Sequence, residues 1–198
     1  MTSWIVLGVI VLIVLWGIAV YNGLVGGRNQ AQTAWSQIDV QLKRRHDLIP
    51  NLVQVVKDAM GYEQETLTKV VQARNNAVAA SGNPAQAGPA EAALTQATRG
   101  LLGLVESYPQ LKANENVKQL QEELTTTENQ IAFSRQAYND SVMLLNTRIE
   151  TFPTNLIANN FGFKQADYFQ GAPEDQAVPK VDLSMGGGAA EAPSTPRA

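Results

Sequence analysis

Residues 4–21 read WIVLGVIVLIVLWGIAVY, a run without a charge in which only two glycines are neither aliphatic nor aromatic. A helix of this length rises roughly 27 Å, close to the roughly 30 Å hydrocarbon core of a bilayer. Trp4 and Tyr21 stand at its ends, where an aromatic ring with a polar atom suits the headgroup layer, and they read as interfacial anchors. A cleaved signal peptide would show a basic start, a shorter apolar run and a small-x-small site. The opening Met-Thr-Ser carries no Lys or Arg, and the YNGLVGGRN that follows offers no such site. The segment is expected to remain as a transmembrane helix, preceded by a short segment at residues 1–3.

Orientation follows from the basic residues. None precedes the run, whereas Arg28 and then Lys43, Arg44 and Arg45 follow it. By the positive-inside tendency the N-terminus lies outside and the C-terminal part in the cytoplasm. The net charge of −3 conceals a split: residues 28–57 carry five basic and two acidic side chains, residues 58–198 ten basic and sixteen acidic. A basic membrane-proximal stretch suits an anionic inner leaflet, and an acidic remainder argues against nucleic acid as a partner. The chain has no Cys, which excludes disulfides and a cysteine-linked lipid.

From residue 31 to residue 152 the periodicity is helical, without the alternation that announces strands. The fold class is therefore all-α: one transmembrane helix, a bundle of long antiparallel helices over residues 22–170, and an extended or disordered tail at 171–198. In the first stretch Trp35, Leu42, Ile49, Val56 and Val70 recur at multiples of seven, with Ile38 and Leu52 in the flanking column. This seam predicts a coiled-coil-like rod from about residue 28 to residue 80, roughly 80 Å long. Pro50 removes the backbone bond to the carbonyl of His46, yet Ile49 is a poor cap and the seam keeps register, so a kink in a continuous helix is expected. Gly26 and Gly27 each cost roughly 1 kcal/mol in a helix and mark a place where it bends easily.

The stretch SGNPAQAGP, residues 81–89, reads as a loop, followed by a short helix over about residues 90–106 that Ser107, Tyr108 and Pro109 close. Asn114 reads as the N-cap of a second long helix with Glu115 in its first turn. There Val117, Leu124, Ile131, Tyr138, Leu145 and Phe152 are spaced by seven, an apolar core stripe. The column three further on, Leu120, Thr127, Ser134, Ser141 and Arg148, is mostly small and polar, which suits close packing in a bundle with a solvated edge. Phe161, Phe163, Tyr168 and Phe169 are expected to cap the bundle end. The tail, rich in Gly, Pro and Ala, cannot offset the entropy of ordering.

Chemistry is sparse. Without Cys and with His46 as the one His, thiol nucleophiles and multi-His metal sites are excluded, and no phosphate loop or dinucleotide fingerprint is present. A Ser-His-Asp set would have to use His46 between Arg45 and Asp47 on a long helix, without a nucleophile elbow. Glu122, Glu123 and Glu128 read as a solvated helix face. No catalytic residue, cofactor or metal site is assigned. The densest cluster of charge is Asp39, Lys43, Arg44, Arg45, His46 and Asp47, a candidate interaction surface. Three consecutive basic residues on a helix fan over roughly 200° and cannot all face a core.

The strings YNGLVGGRN, AWSQIDVQLKRRHDLIPNLVQVVK, ARNNA at residues 73–77, YPQLKANENVKQLQEELTTTENQIAFSRQAYNDSV and FPTNLIANNFGFKQADYF together resemble the LemA family of bacterial membrane proteins. The resemblance covers roughly residues 21–169, and the family's hallmark block maps to Trp35, Asp39, Lys43, Arg44, Arg45, His46, Asp47 and Pro50. It implies a bacterial inner-membrane protein with one span and a cytoplasmic domain of long antiparallel helices, and it implies no enzymatic reaction. Gly26-Gly27 and the loop at 81–89 depart from the family pattern. Three readings of function follow: a non-enzymatic anchored scaffold that self-associates or docks a membrane or envelope protein, a membrane-surface role for the basic segment, and, remotely, a hydrolase.

Overall fold

The computed structural model describes residues 2–60 and 64–170. Among these the fold is all-α, with six helices and no strand: α1 (Thr2–Met60), α2 (Gln64–Ala79), α3 (Pro84–Glu106), α4 (Pro109–Lys112), α5 (Glu115–Glu150) and α6 (Thr154–Asn160). The disorder expected of the tail falls outside the described residues. At 59 residues, α1 is about 88 Å long and passes unbroken through the apolar run, Gly26, Gly27 and Pro50. Its 18-residue apolar window is uncovered by the rest of the fold, and it alone among the described helices is long and apolar enough to cross a membrane.

The rod expected to reach residue 80 instead ends at Met60, and α2 runs back beside α1. Arg74 Nε lies 2.7 Å from the carbonyl of His46, although 28 residues of straight helix would separate them by about 42 Å. The sequence carries the reason. The seam skips one heptad between Val56 and Val70, where Glu63 takes the apolar position and Gly61 stands beside it. A second correction concerns residues 81–89. Asn83 caps α3 by accepting from the Ala85 amide at 3.1 Å, and Pro84 takes the first helical position, where a missing N–H leaves nothing unpaired. Six residues assigned to the loop therefore belong to the helix, Pro89 among them.

α5 descends antiparallel to α1, since Leu145 meets Gly27, Tyr138 meets Trp35 and Glu123 meets Arg44. Away from the apolar run, the α2–α3 hairpin completes a four-helix core of Ile49, Leu52, Val56, Val70, Leu94, Leu101, Val105, Val117 and Leu124. Nearer the apolar run, α1 and α5 enclose a second core of Leu24, Ala31, Ile38, Leu42, Ile131, Tyr138, Val142 and Leu145. Asn114 caps α5 by accepting from the Asn116 amide. Five members of the expected stripe, Val117 to Leu145, are buried, whereas Phe152 is 73% exposed. The stripe loses its register because α5 ends at Glu150 and Thr151 is its C-cap, leaving Ile149 as the last buried position.

The third wall of the lower core is not a helix. Ala166 bonds to Asn146 and Phe169 bonds to Asn139. Seven residues of α5 advance about 10.5 Å and the three residues of the partner segment match them, which is the reach of fully extended chain. Each asparagine makes a reciprocal pair: Asn146 Oδ1 accepts from the Ala166 amide and Nδ2 donates to its carbonyl, and Asn139 does the same with Phe169. The hydroxyl of Tyr138 donates to the Asp167 carbonyl at 2.7 Å. Burial, and then the Asp167 carboxylate, push that phenol up to about 12. Gln170, the last residue described, lies over Gly88 of α3, where any Cβ would overlap its carbonyl.

Candidate functional site

The six residues expected to share one surface separate into two groups. Asp39, Lys43 and Asp47, four apart along α1, are exposed, and Arg44 beside them is exposed and reaches Glu123 of α5 at 3.9 Å. Arg45 and His46 turn inward and are each 5% exposed. They belong to the interior, not to an interaction surface, because α3 presents them with a carboxylate. Arg45 Nη2 donates to Glu91 Oε2 and, at 2.9 Å, to the Glu91 carbonyl. Arg45 Nη1 donates to Thr95 Oγ1 at 3.0 Å, and His46 Nε2 lies 2.6 Å from Glu91 Oε1.

This cluster lies where the two apolar cores meet, since Leu42 is the last α1 residue of the lower core and Ile49 the first of the upper. It ties α1 to α3 through hydrogen bonds that leave the carboxylate doubly paired, the condition under which a buried charge is tolerated. One turn further along α1, Pro50 has no amide to offer the carbonyl of His46. Arg74 of α2 supplies the missing donor through Nε at 2.7 Å. Three helices are thus pinned at one level by Arg45, His46, Arg74 and Glu91.

In the sequence Arg74 stands out only as part of ARNNA, and no motif marks Glu91 or Thr95. A signal for Glu91 exists: Ala87, Glu91, Leu94, Thr98, Leu101 and Val105 alternate by four and three, so one carboxylate occupies a core position of a stripe that otherwise carries no charge. A charge there needs a buried partner, and Arg45 and His46 of the facing helix supply it.

At 5% exposure each, Arg45, His46 and Glu91 offer no face to a substrate. Among the described residues no group of three or more His, Asp or Glu is placed to hold a metal ion. The aromatic residues near the end of the apolar run pack on α1. Tyr21 stands edge-on to Phe161 and Phe163 at 5.0 and 5.7 Å between centroids, and Trp35 meets Phe169 at 5.5 Å. Trp4 is exposed, as its place at the far end of the apolar run requires.

Fold and cluster together define an all-helical domain carried on one long apolar N-terminal helix and pinned by a buried ion cluster. The LemA family model matches residues 34–183, and the chain belongs to that family. It is 26% identical over 182 residues to magnetosome protein MamQ 2 of Paramagnetospirillum magneticum, covering 77% of this chain and 65% of that protein. It is 27% identical over 178 residues to magnetosome protein MamQ of Magnetospirillum gryphiswaldense, with the same coverage. Against protein LemA of Metamycoplasma hominis the identity is 28% over 164 residues, covering 82% of this chain and 72% of that protein. The chain thus spans about 65% of the length of the magnetosome relatives.

Proposed function

We propose that this chain is a non-enzymatic, single-pass membrane scaffold of the bacterial inner membrane, N-terminus outside, whose cytoplasmic helical rod self-associates or docks a membrane or envelope protein. One observation carries the reading: an uncovered apolar helix continues unbroken into a rod that turns Arg45, His46 and Glu91 inside the fold and leaves Asp39, Lys43, Arg44 and Asp47 on its surface. A hydrolase would need His46 available, and His46 is buried against Glu91. A membrane-surface role for the basic segment would need the rod to bend at Gly26-Gly27. Because α1 is unbroken there, Lys43 stands about 33 Å beyond Tyr21, several Debye lengths from the headgroups.

The exposed charges Asp39, Lys43, Arg44 and Asp47 then form the docking face. The test is the assembly size of the full chain in detergent, wild type against the Lys43→Glu/Arg44→Glu variant, with vesicle binding of the cytoplasmic part at low and high salt. Loss of assembly or of partner capture in the variant is expected. Unchanged assembly with strong, salt-sensitive vesicle binding would replace this reading with the membrane-surface one.

A further inference from the structure

α6 is seven residues long, too short to hold a helix alone, and it lies beside the last turns of the apolar run. Ile157 Cδ1 comes within 3.9 Å of a Cβ built on Gly17, and Val20 packs in the same core as Ile157 and Ala158. The opposite side of this turn faces away from the bundle. Phe152 and Leu156 are 73% and 59% exposed there, and Phe161 at the end of the turn, though one ring edge meets Tyr21, keeps 59% of its surface open.

Position decides what covers them. Gly17 is four residues before Tyr21, so α6 reaches about 6 Å below the level of that ring. Interfacial amphipathic segments bury their apolar face roughly 5–10 Å into the boundary between headgroups and acyl chains, which is the same depth. Basic groups stand on the side toward the bundle. The Arg28 guanidinium carbon lies 5.5 Å from the centre of the Phe163 ring, Arg148 Nη1 donates to the Gly23 carbonyl at 3.2 Å, and exposed Lys164 follows Phe163. Apolar residues below and cations above reproduce the order of acyl chain and phosphate across a leaflet. The acidic residue of the same turn, Glu150, accepts from Gln165.

We infer that residues 152–161 form a second membrane contact, a monotopic wedge that inserts Phe152, Leu156 and Phe161 into the leaflet from which α1 emerges. The inference rests on the anchoring proposed above and deepens it. A span alone leaves the rod free to rotate and tilt about one helix. A wedge on one side fixes which face of the rod looks along the membrane.

The full chain, which lacks Cys, allows a direct test in vesicles of phosphatidylcholine and phosphatidylglycerol. Single variants Phe152→Cys, Leu156→Cys, Ile13→Cys and Phe133→Cys each carry one environment-sensitive fluorophore, quenched by lipids bearing a nitroxide near the carboxyl end or near the tip of the acyl chain. Labels at 152 and 156 should be quenched several-fold more than the label at 133, and more by the shallow nitroxide than by the deep one. The label at 13 should favour the deep one. Labels at 152 and 156 as water-exposed as that at 133, with 13 lipid-quenched, would overturn the wedge and leave the anchor standing. Labels at 152 and 156 hidden from water and lipid alike would also overturn it, by placing protein over the turn. A label at 13 insensitive to both nitroxides would remove the anchor and the wedge together.

Discussion

The upper and lower halves of the rod solve one packing problem with different materials. Above the Arg45–Glu91 cluster four helices supply four apolar stripes, and the core is made of Leu, Ile and Val. Below it only α1 and α5 run as long helices, and the short α6 and extended chain held by Asn139 and Asn146 make up the rest of the wall. Extended backbone beside a helix cannot form a ladder with it, because the helix has already used its own amides and carbonyls. Two asparagine side chains substitute, each presenting one donor and one acceptor as a neighbouring strand would. The lower half therefore depends on a few directed bonds, the upper on many undirected contacts.

The joint between the halves should be the most sensitive place. Glu91→Ala leaves Arg45 buried without its carboxylate, a change expected to cost about 3–5 kcal/mol. Arg44→Ala, which removes an exposed pair with Glu123, should cost at most about 1 kcal/mol. Denaturant titration of the detergent-solubilised chain measures both. Comparable losses would show that the cluster is not what joins the halves.

Next in size is the asparagine clip. Asn146→Ala removes two hydrogen bonds to Ala166 and should cost about 2 kcal/mol, at roughly 1 kcal/mol per bond, with Asn139→Ala similar at Phe169. The sharper readout is local. Amide exchange around residues 163–170 should accelerate while that of α2 and α3 stays as in the wild type. Acceleration in both halves together would mean that they unfold as one unit and that the contrast between them has no energetic content.

This contrast also marks what the sequence makes legible. Periodic burial is a one-dimensional signal, so the membrane run, the α5 stripe through Leu145 and the seam of α1 can be read from spacing. Asn83 and Asn114 differ in context: Glu115 opens a polar first turn after Asn114, whereas Gly88 and Pro89 inside the helix that follows Asn83 and Pro84 make that stretch read as a loop. The site was harder, because pairing is not periodic. Nothing local in KRRHD says that Arg45 and His46 face inward while Arg44 faces out; the answer lies on α3, at Glu91. The extended clip is hidden for the same reason, since Asn139 and Asn146 resemble solvated helix residues until the chain returns beside them.

The smallest expected effect tests the joint from its other side. Arg74→Met removes the donor to the His46 carbonyl, a half-buried bond from a charged group, and should cost about 1–2 kcal/mol. That carbonyl is unfilled only because residue 50 is a proline. Pro50→Ala restores an amide one turn away and removes a helix penalty of up to about 3 kcal/mol at this exposed position, so it should stabilise the chain on its own. In the Pro50→Ala background the carbonyl has its helical partner, and Arg74→Met should lose at least half of its effect. The four-member cycle isolates that coupling from any general contribution of Arg74 to packing, because the His46 carbonyl oxygen is the acceptor for which an amide at residue 50 and the Arg74 guanidinium compete. An equal cost of Arg74→Met in both backgrounds would show that Arg74 serves the joint through its aliphatic stem, and that the continuous passage of α1 through Pro50 needs no help from α2.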